Sequence, residues 1–466
     1  MPDRVDTDRE QDRGQGRDCS ENGRIDIATC EADVEQPTAE ISRRGRTFEA
    51  FRYRDYSLFW SGAVVSNTGT WMQNAALAIV VYQFRRSELD IGLVNFLIGV
   101  PALFLALPAG VLADRIDKRR LIIWSQAALM LQAAALGFLY ASGRLSSANL
   151  YASLAWVALL SVVAGVFSAL TFPAWQAMLP ELVPRETLLN AIALNSAQFQ
   201  SARMIGPLIA GVVILALGAA AVFYINAVSF LFVIGALWFV HASFKAPARP
   251  SGGEPESAWT RLAAGLRYAR GHTATRTIII STALLTVFAF PYVILMPAIA
   301  DKALGFHTDK ANSLAYTYLL TANGLGALVG SLAVASLPHG VKRERLMKAS
   351  LLAMALLLIA FSFSRSLVLS CILSACAGGA LLTTNSLANT SIQASVPGHL
   401  RGRVMSLFVM AFLGIMPISG AVFGPIGQAI GPTNAVFAGA LLLLVWALVL
   451  YARPQMLPDT ELPPRG

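Results

Sequence analysis

Charge is scarce in this chain of 466 residues: Asp, Glu, Lys and Arg make up 14%, against 55% hydrophobic residues. Ordinary soluble domains carry roughly 25% charged residues, so this composition excludes a soluble enzyme. Cysteine is scarce as well. Of the four, Cys19 and Cys30 lie in a polar stretch and Cys371 and Cys376 in an apolar one, which gives neither a disulfide framework nor a zinc spacing. No glycine-rich phosphate loop joins a strand to a helix, and no cofactor is implied. The first 50 residues contain no apolar core of a secretory signal. Carboxylates are missing from the middle of every long apolar run: Asp90, Asp114, Glu181, Asp301 and Asp309 all stand at ends or in loops. The usual intramembrane proton carrier is therefore absent.

Long uncharged runs are what the sequence has in abundance. Twelve can be counted, at about 58–84, 91–113, 121–142, 150–172, 190–216, 219–241, 277–300, 313–337, 348–364, 367–392, 404–428 and 433–452. About 20 helical residues cross the roughly 30 Å hydrocarbon layer of a bilayer. The net charge of +9 sits in the short connections between runs, a pattern of membrane topology and not of a nucleic-acid face. With both termini placed inside, inside segments beyond residue 42 hold 24 Lys and Arg and outside loops hold six. That fourfold bias predicts a multi-pass membrane protein with both termini cytoplasmic.

Between the second and third runs lies Gly110-Val111-Leu112-Ala113-Asp114-Arg115-Ile116-Asp117-Lys118-Arg119-Arg120. The spacing Gly110-x-x-x-Asp114-Arg115-x-x-x-Arg119 resembles the loop 2–3 motif of the major facilitator superfamily. Asp117 stands where that family usually has glycine; aspartate tolerates left-handed backbone, so a left-handed turn is expected there. The resemblance implies an all-α membrane protein whose twelve transmembrane helices form two six-helix bundles. It also implies a conformational latch of Gly110, Asp114, Arg115, Arg119 and Glu181, with Asp114 near the N-terminus of span eleven at about 401–405.

The domain reading follows from polarity. Residues 1–47, polar, acidic and without periodicity, form a disordered cytoplasmic tail. Then come a first bundle at 48–241, a cytoplasmic linker with an interfacial helix at 242–276, a second bundle at 277–452 and a tail at 453–466. The halves look like parallel repeats. Gln176, Ala177 and Pro180 recur as Gln393, Ala394 and Pro397, Gly206-Pro207 recurs as Gly424-Pro425, and Gly110 recurs as Gly330.

Arg203 is the only basic residue deep inside a run, too far from either end to reach water by snorkelling. A charge at that depth faces a partner or a wet cavity, and by default marks function. Ser196, Gln200 and Arg203 share a helical face. Asn67, Trp71 and Asn74 share one in the first run with Gln73 beside it, Tyr316 and Asn323 in the eighth, and Asn385, Asn389 and Gln393 in the tenth. Each amide alone is as well explained by hydrogen bonding between helices, while the set favours a polar cavity. Pro291 and Pro297 either break the seventh run at a site or merely kink it.

The stretch Pro180-Glu181-Leu182-Val183-Pro184-Arg185, with Asn190-Ala191, Gly206-Pro207, Ala210-Gly211, Gly69-Thr70-Trp71-Met72-Gln73 and His399-Leu400-Arg401-Gly402-Arg403, resembles one branch of the superfamily. That branch holds the enterobactin exporter and related transmembrane secretion effectors. It implies a secondary, ion-coupled exporter of small organic molecules such as siderophores, antibiotics or drugs. The binding set would be Arg203, Gln200, Ser196, Asn67, Trp71, Asn74, Tyr316, Asn323, Asn385 and Asn389, and the cargo anionic or aromatic. Expected partners are that cargo and the bilayer, with no nucleic acid, no metal and a monomeric chain. Two other readings stand beside it: a lysophospholipid flippase, and a membrane sensor or scaffold without transport.

Overall fold

The computed structural model describes residues 48–241, 258–338 and 341–457, with backbone alone at 106–115, 258–259, 261–262 and 399. The acidic tail, most of the linker and the last residues lie outside this set. The described residues form one compact unit.

Every element described is helical. The chain runs through α1 (Arg54–Arg85), α2 (Glu88–Arg115), α3 (Lys118–Ala141), α4 (Leu150–Met178), α5 (Leu188–Leu217) and α6 (Ala219–Phe239). It continues with α7 (Ala258–Gly271), α8 (Thr273–Ala289), α9 (Pro291–Ile294), α10 (Met296–Lys302), α11 (Asp309–Ala335) and α12 (Arg343–Phe363). The last are α13 (Leu367–Ser395), α14 (Gly398–Val409), α15 (Met416–Ile430) and α16 (Pro432–Ala452). Among the described residues, 11 helical segments are long and apolar enough to cross a membrane. The exception in the expected series is α1. At 32 residues, about 48 Å, it is ample in length, but Asn67, Thr68, Thr70, Gln73 and Asn74 dilute its hydropathy.

Helix ends follow local chemistry. Asp117 does not take the left-handed turn expected of it. Its φ is −55°, and its carboxylate accepts from Arg120 N at 3.2 Å, capping α3. A side chain that satisfies an orphan N–H at a helix start replaces the conformational freedom of glycine. The left-handed non-glycine among the described residues is Arg86, φ 55°, where α1 stops. Pro291 and Pro297 break the seventh run into α8, α9 and α10, since each removes an N–H and crowds the preceding turn. In the eleventh run, α14 passes through a π-helical turn at Met410–Gly414 into α15.

Packing brings α1 onto α5 and α6, α2 onto α4, α3 onto α4 and α6, α11 onto α13, and α12 onto α13 and α16. Two further pairs, α5 with α11 and α2 with α15, join these sets. They correspond under the repeat expected from sequence, and both depend on glycine. A Cβ on Gly324 would meet Met204 Cα at 2.7 Å, and one on Gly420 would meet Gly92 O at 2.7 Å. Small residues allow such backbone approach where lipid gives helices no hydrophobic drive to associate. In the second half of the expected linker the chain forms helix α7. It packs on α14, with Gly265 against Arg403 O.

Candidate functional site

The helix pairs just described place one guanidinium at the centre of the unit. Arg203, in α5, is 8% exposed. Its Nη2 donates to Asn323 Oδ1 of α11 at 3.1 Å, and its Cζ lies 5.5 Å from the centroid of the Trp71 ring of α1. Phe199, one turn before Arg203, meets Trp71 edge to face at 5.9 Å. Asn323 Nδ2 in turn donates to the Tyr292 hydroxyl. Of the residues expected from sequence, Arg203 thus reaches both Trp71 and Asn323.

The charge of Arg203 is not neutralised by any described residue. Among the described residues no carboxylate pairs with it, and its Nε is buried without a partner. An unpaired buried charge is costly, and a cation over an aromatic face recovers only part of that cost, up to about 2 kcal/mol. Two of the other amides expected in the site also have a buried atom without a partner: Gln200 Nε2 in α5 and Asn385 Oδ1 in α13. Native proteins seldom leave such groups unmet unless a ligand or water meets them.

Other expected residues are placed elsewhere. Ser196 is exposed and its hydroxyl donates to Ile192 O of its own helix, 2.9 Å. Asn74 is exposed and Asn67 half-buried. Asn389 accepts from Gln393 at 2.8 Å, closing a pair within α13. Tyr316 is buried in the main apolar core, two helical turns before Asn323. Gln198, a candidate counter-group for Arg203, instead donates to Ala63 O at 3.2 Å. Gln73 belongs to a buried chain of amides. Asn226 Nδ2 donates to Gln73 Oε1 at 2.8 Å, and Gln73 Nε2 to Gln132 Oε1 at 3.1 Å, tying α6, α1 and α3 together.

Of the latch residues, Gly110, Asp114 and Arg115 end α2, and their side chains lie outside the described residues. Glu181 pairs with Lys118. Arg119 donates to Trp238 O at 2.9 Å and Val240 O at 3.3 Å, a cation on the C-terminal carbonyls of α6.

Two groups are not legible as site residues in the sequence. Tyr292 is positioned by the α8–α9 break, and the signal for it is Pro291 beside it. The second is an ion cluster at the end where α1 passes into α2. Arg86 pairs with Asp309 and, at 3.4 Å, with Asp301. Tyr82 donates to Asp301 at 2.8 Å, and His307 Nδ1 lies 2.8 Å from its other oxygen. Glu88, fully buried, meets Lys302 Nζ at 2.6 Å. Burial pushes the Asp301 carboxyl up, but the hydrogen bonds from His307 and Tyr82, with the charge of Arg86, outweigh it and hold it below the usual aspartate value. These pairs connect α1 and α2 to α10 and α11.

The fold agrees with solved transporters. A mutant of the nucleoside transporter NupG superposes with a TM-score of 0.67 at 13% identity, covering 86% of this chain and 99% of that one. A bacterial homologue of the human lysosomal transporter Spinster, inward-facing and unoccupied, gives 0.64 at 15%, covering 88% and 99%. In sequence, the chain is 27% identical over 405 residues to the enterobactin exporter EntS of Escherichia coli O1:K1 / APEC, 86% of this chain and 92% of that one. It is 26% identical over 357 residues to the staphyloferrin A transporter of Staphylococcus aureus (strain NCTC 8325 / PS 47), 76% and 84%. The multidrug efflux pump Tap of Mycolicibacterium fortuitum is 25% identical over 400 residues, 84% and 94%. The family model of transmembrane secretion effectors matches residues 46–462. This chain is therefore a multi-pass membrane transporter of the transmembrane secretion effector family within the major facilitator superfamily.

Proposed function

We propose that the protein is a secondary active, ion-coupled exporter of small organic anions, working by alternating access in the bacterial inner membrane. In this reading α1 is the twelfth span. The spans form six-helix bundles at 48–241 and 277–452 with both termini inside, supported by the 24-to-6 charge bias and by the repeat-related pairs α5–α11 and α2–α15. The observation that carries the cargo assignment is Arg203, buried with no carboxylate partner and with a free Nε. A carboxylate, catecholate or phosphate on the cargo supplies the missing acceptor, and a charge-assisted hydrogen bond of this kind is worth about 1.5–3 kcal/mol. Trp71 and Phe199 give an aromatic part of the cargo a surface to stack on, as expected of a relative of siderophore transporters.

Alternating access requires a gate at each end. The ion cluster of Arg86, Asp301, Asp309, Glu88 and Lys302 closes the outer end in this orientation, and the loop from Gly110 to Arg119 with Glu181 serves the inner end. Inside-out vesicles containing the protein test the reading. Under an imposed ion gradient they should accumulate an aryl carboxylate and leave its neutral amide outside. Equal accumulation of both would remove the assignment of an anionic cargo, and accumulation of neither would favour the sensor or scaffold.

A further inference from the structure

Beyond transport itself, the geometry points to a binding site for the phosphate of an anionic phospholipid, between the start of α12 and the segment that follows α16. After α16 the chain turns back in a short 3₁₀ turn, Pro454–Met456, and Leu457 is fully buried beside Ile278 and Met347. That strap leaves a groove of about 610 Å³ lined by Arg345, Lys348, Tyr451, Pro454, Gln455 and Leu457. Lys348 is the telling residue. It is 7% exposed, yet it has neither a hydrogen bond nor an ion pair among the described residues. The lysine stem is buried while the residue lines the groove without an acceptor, and an anion there would supply a charge-assisted hydrogen bond. Arg345 adds a second cation at the rim. The first N–H groups of α12 have no side-chain cap and carry the positive end of its dipole.

A lipid fits this groove better than a free anion because the groove opens onto bilayer-facing surface. Tyr451 is 48% exposed at the end of α16, where interfacial tyrosines collect. Ala349 and Leu356 lie seven residues apart on α12, and Leu441 and Leu448 seven apart on α16, all exposed and on helices that pack together. They make an apolar track for acyl chains leading away from the cations. With the termini inside, the groove faces the cytoplasmic leaflet, and basic pockets between helices on that side select anionic headgroups.

The test uses the delipidated full chain in detergent, with phosphatidylglycerol, phosphatidylcholine and inorganic phosphate as probes. Bound lipid is read by native mass spectrometry and stabilisation by thermal unfolding. The expected result is retention of phosphatidylglycerol by the wild type and Lys348→Arg, with a loss of roughly tenfold in affinity in Lys348→Gln. Ala349→Trp, which fills the groove without touching the lysine, should lose the lipid too, so misfolding of one variant cannot decide the matter. Three results would overturn the site: phosphatidylglycerol binding unchanged in both loss variants, equal binding of phosphatidylcholine, or stabilisation by inorganic phosphate alone matching that of the lipid. Because lipid is counted directly, the outcome is independent of whether the protein exports anions.

Discussion

Asn323 does two jobs: its oxygen accepts from Arg203 and its amide donates to Tyr292. Asn323→Leu would leave buried polar partners on both sides unmet, at about 1–3 kcal/mol each. It should lower the thermal stability of the purified protein and weaken anion binding by tenfold or more, which titration of the cargo would show. The amide chain through Gln73 is a different case. Gln73→Leu cuts a tie between helices worth about 0.6–2 kcal/mol. It should lower the unfolding midpoint while leaving the affinity for cargo within about twofold, and a large affinity loss would bring Gln73 into the site. Sequence distinguishes these residues only in part. Depth within an apolar run marks Arg203, and helical spacing puts Asn323 on a cavity face. Spacing does not tell which neighbour an amide turns to, so Gln73, beside a cavity face by position, binds other helices instead.

Asp301 ties α10 to α1 at the end where α1 passes into α2. Its carboxyl sits below the ordinary aspartate value, so its contribution is fully present above about pH 4. It is lost only as pH falls through the lower, folded value. The contact should therefore hold unchanged from about pH 5 to 8, as far as Asp301 decides it. A cysteine at Ser313, beneath the cluster, reports this in a cysteine-free background. Labelling by a membrane-impermeant thiosulfonate should be slow in the parent and several-fold faster in Asp301→Asn. Equal rates in both would show that the cluster does not close this end. Elements are far more legible than their pairings. Uncharged runs bounded by Arg, Lys, Gly and Pro mark the helices, and Pro291 and Pro297 mark the broken one. Arg86 and Asp301, by contrast, stand far apart in the chain; only tertiary packing brings them together, and no periodicity records that. Asp117 errs in the other direction: a family position suggests a turn, and local capping chemistry makes a helix start.

At the scale of the whole molecule, the orientation rests on charge placement. Cysteines at Arg144 and His307, both at helix connections, should react with an impermeant maleimide added to intact cells. One at Arg270, exposed near the end of α7, should react only after permeabilisation. Outer reactivity at Arg270 would invert the topology, and the anionic-lipid groove would then face the outer leaflet. The central claim is that Arg203 reads the charge of the cargo, and one comparison tests it directly. Wild type and Arg203→Gln, reconstituted at equal levels, are assayed for transport of an aryl carboxylate and of a neutral cargo exported by the same protein. Loss of an interaction worth about 1.5–3 kcal/mol predicts a fall of roughly tenfold or more for the anion, with the neutral cargo unchanged. An equal fall for both would contradict the account and leave Arg203 as a structural tie between α5 and α11.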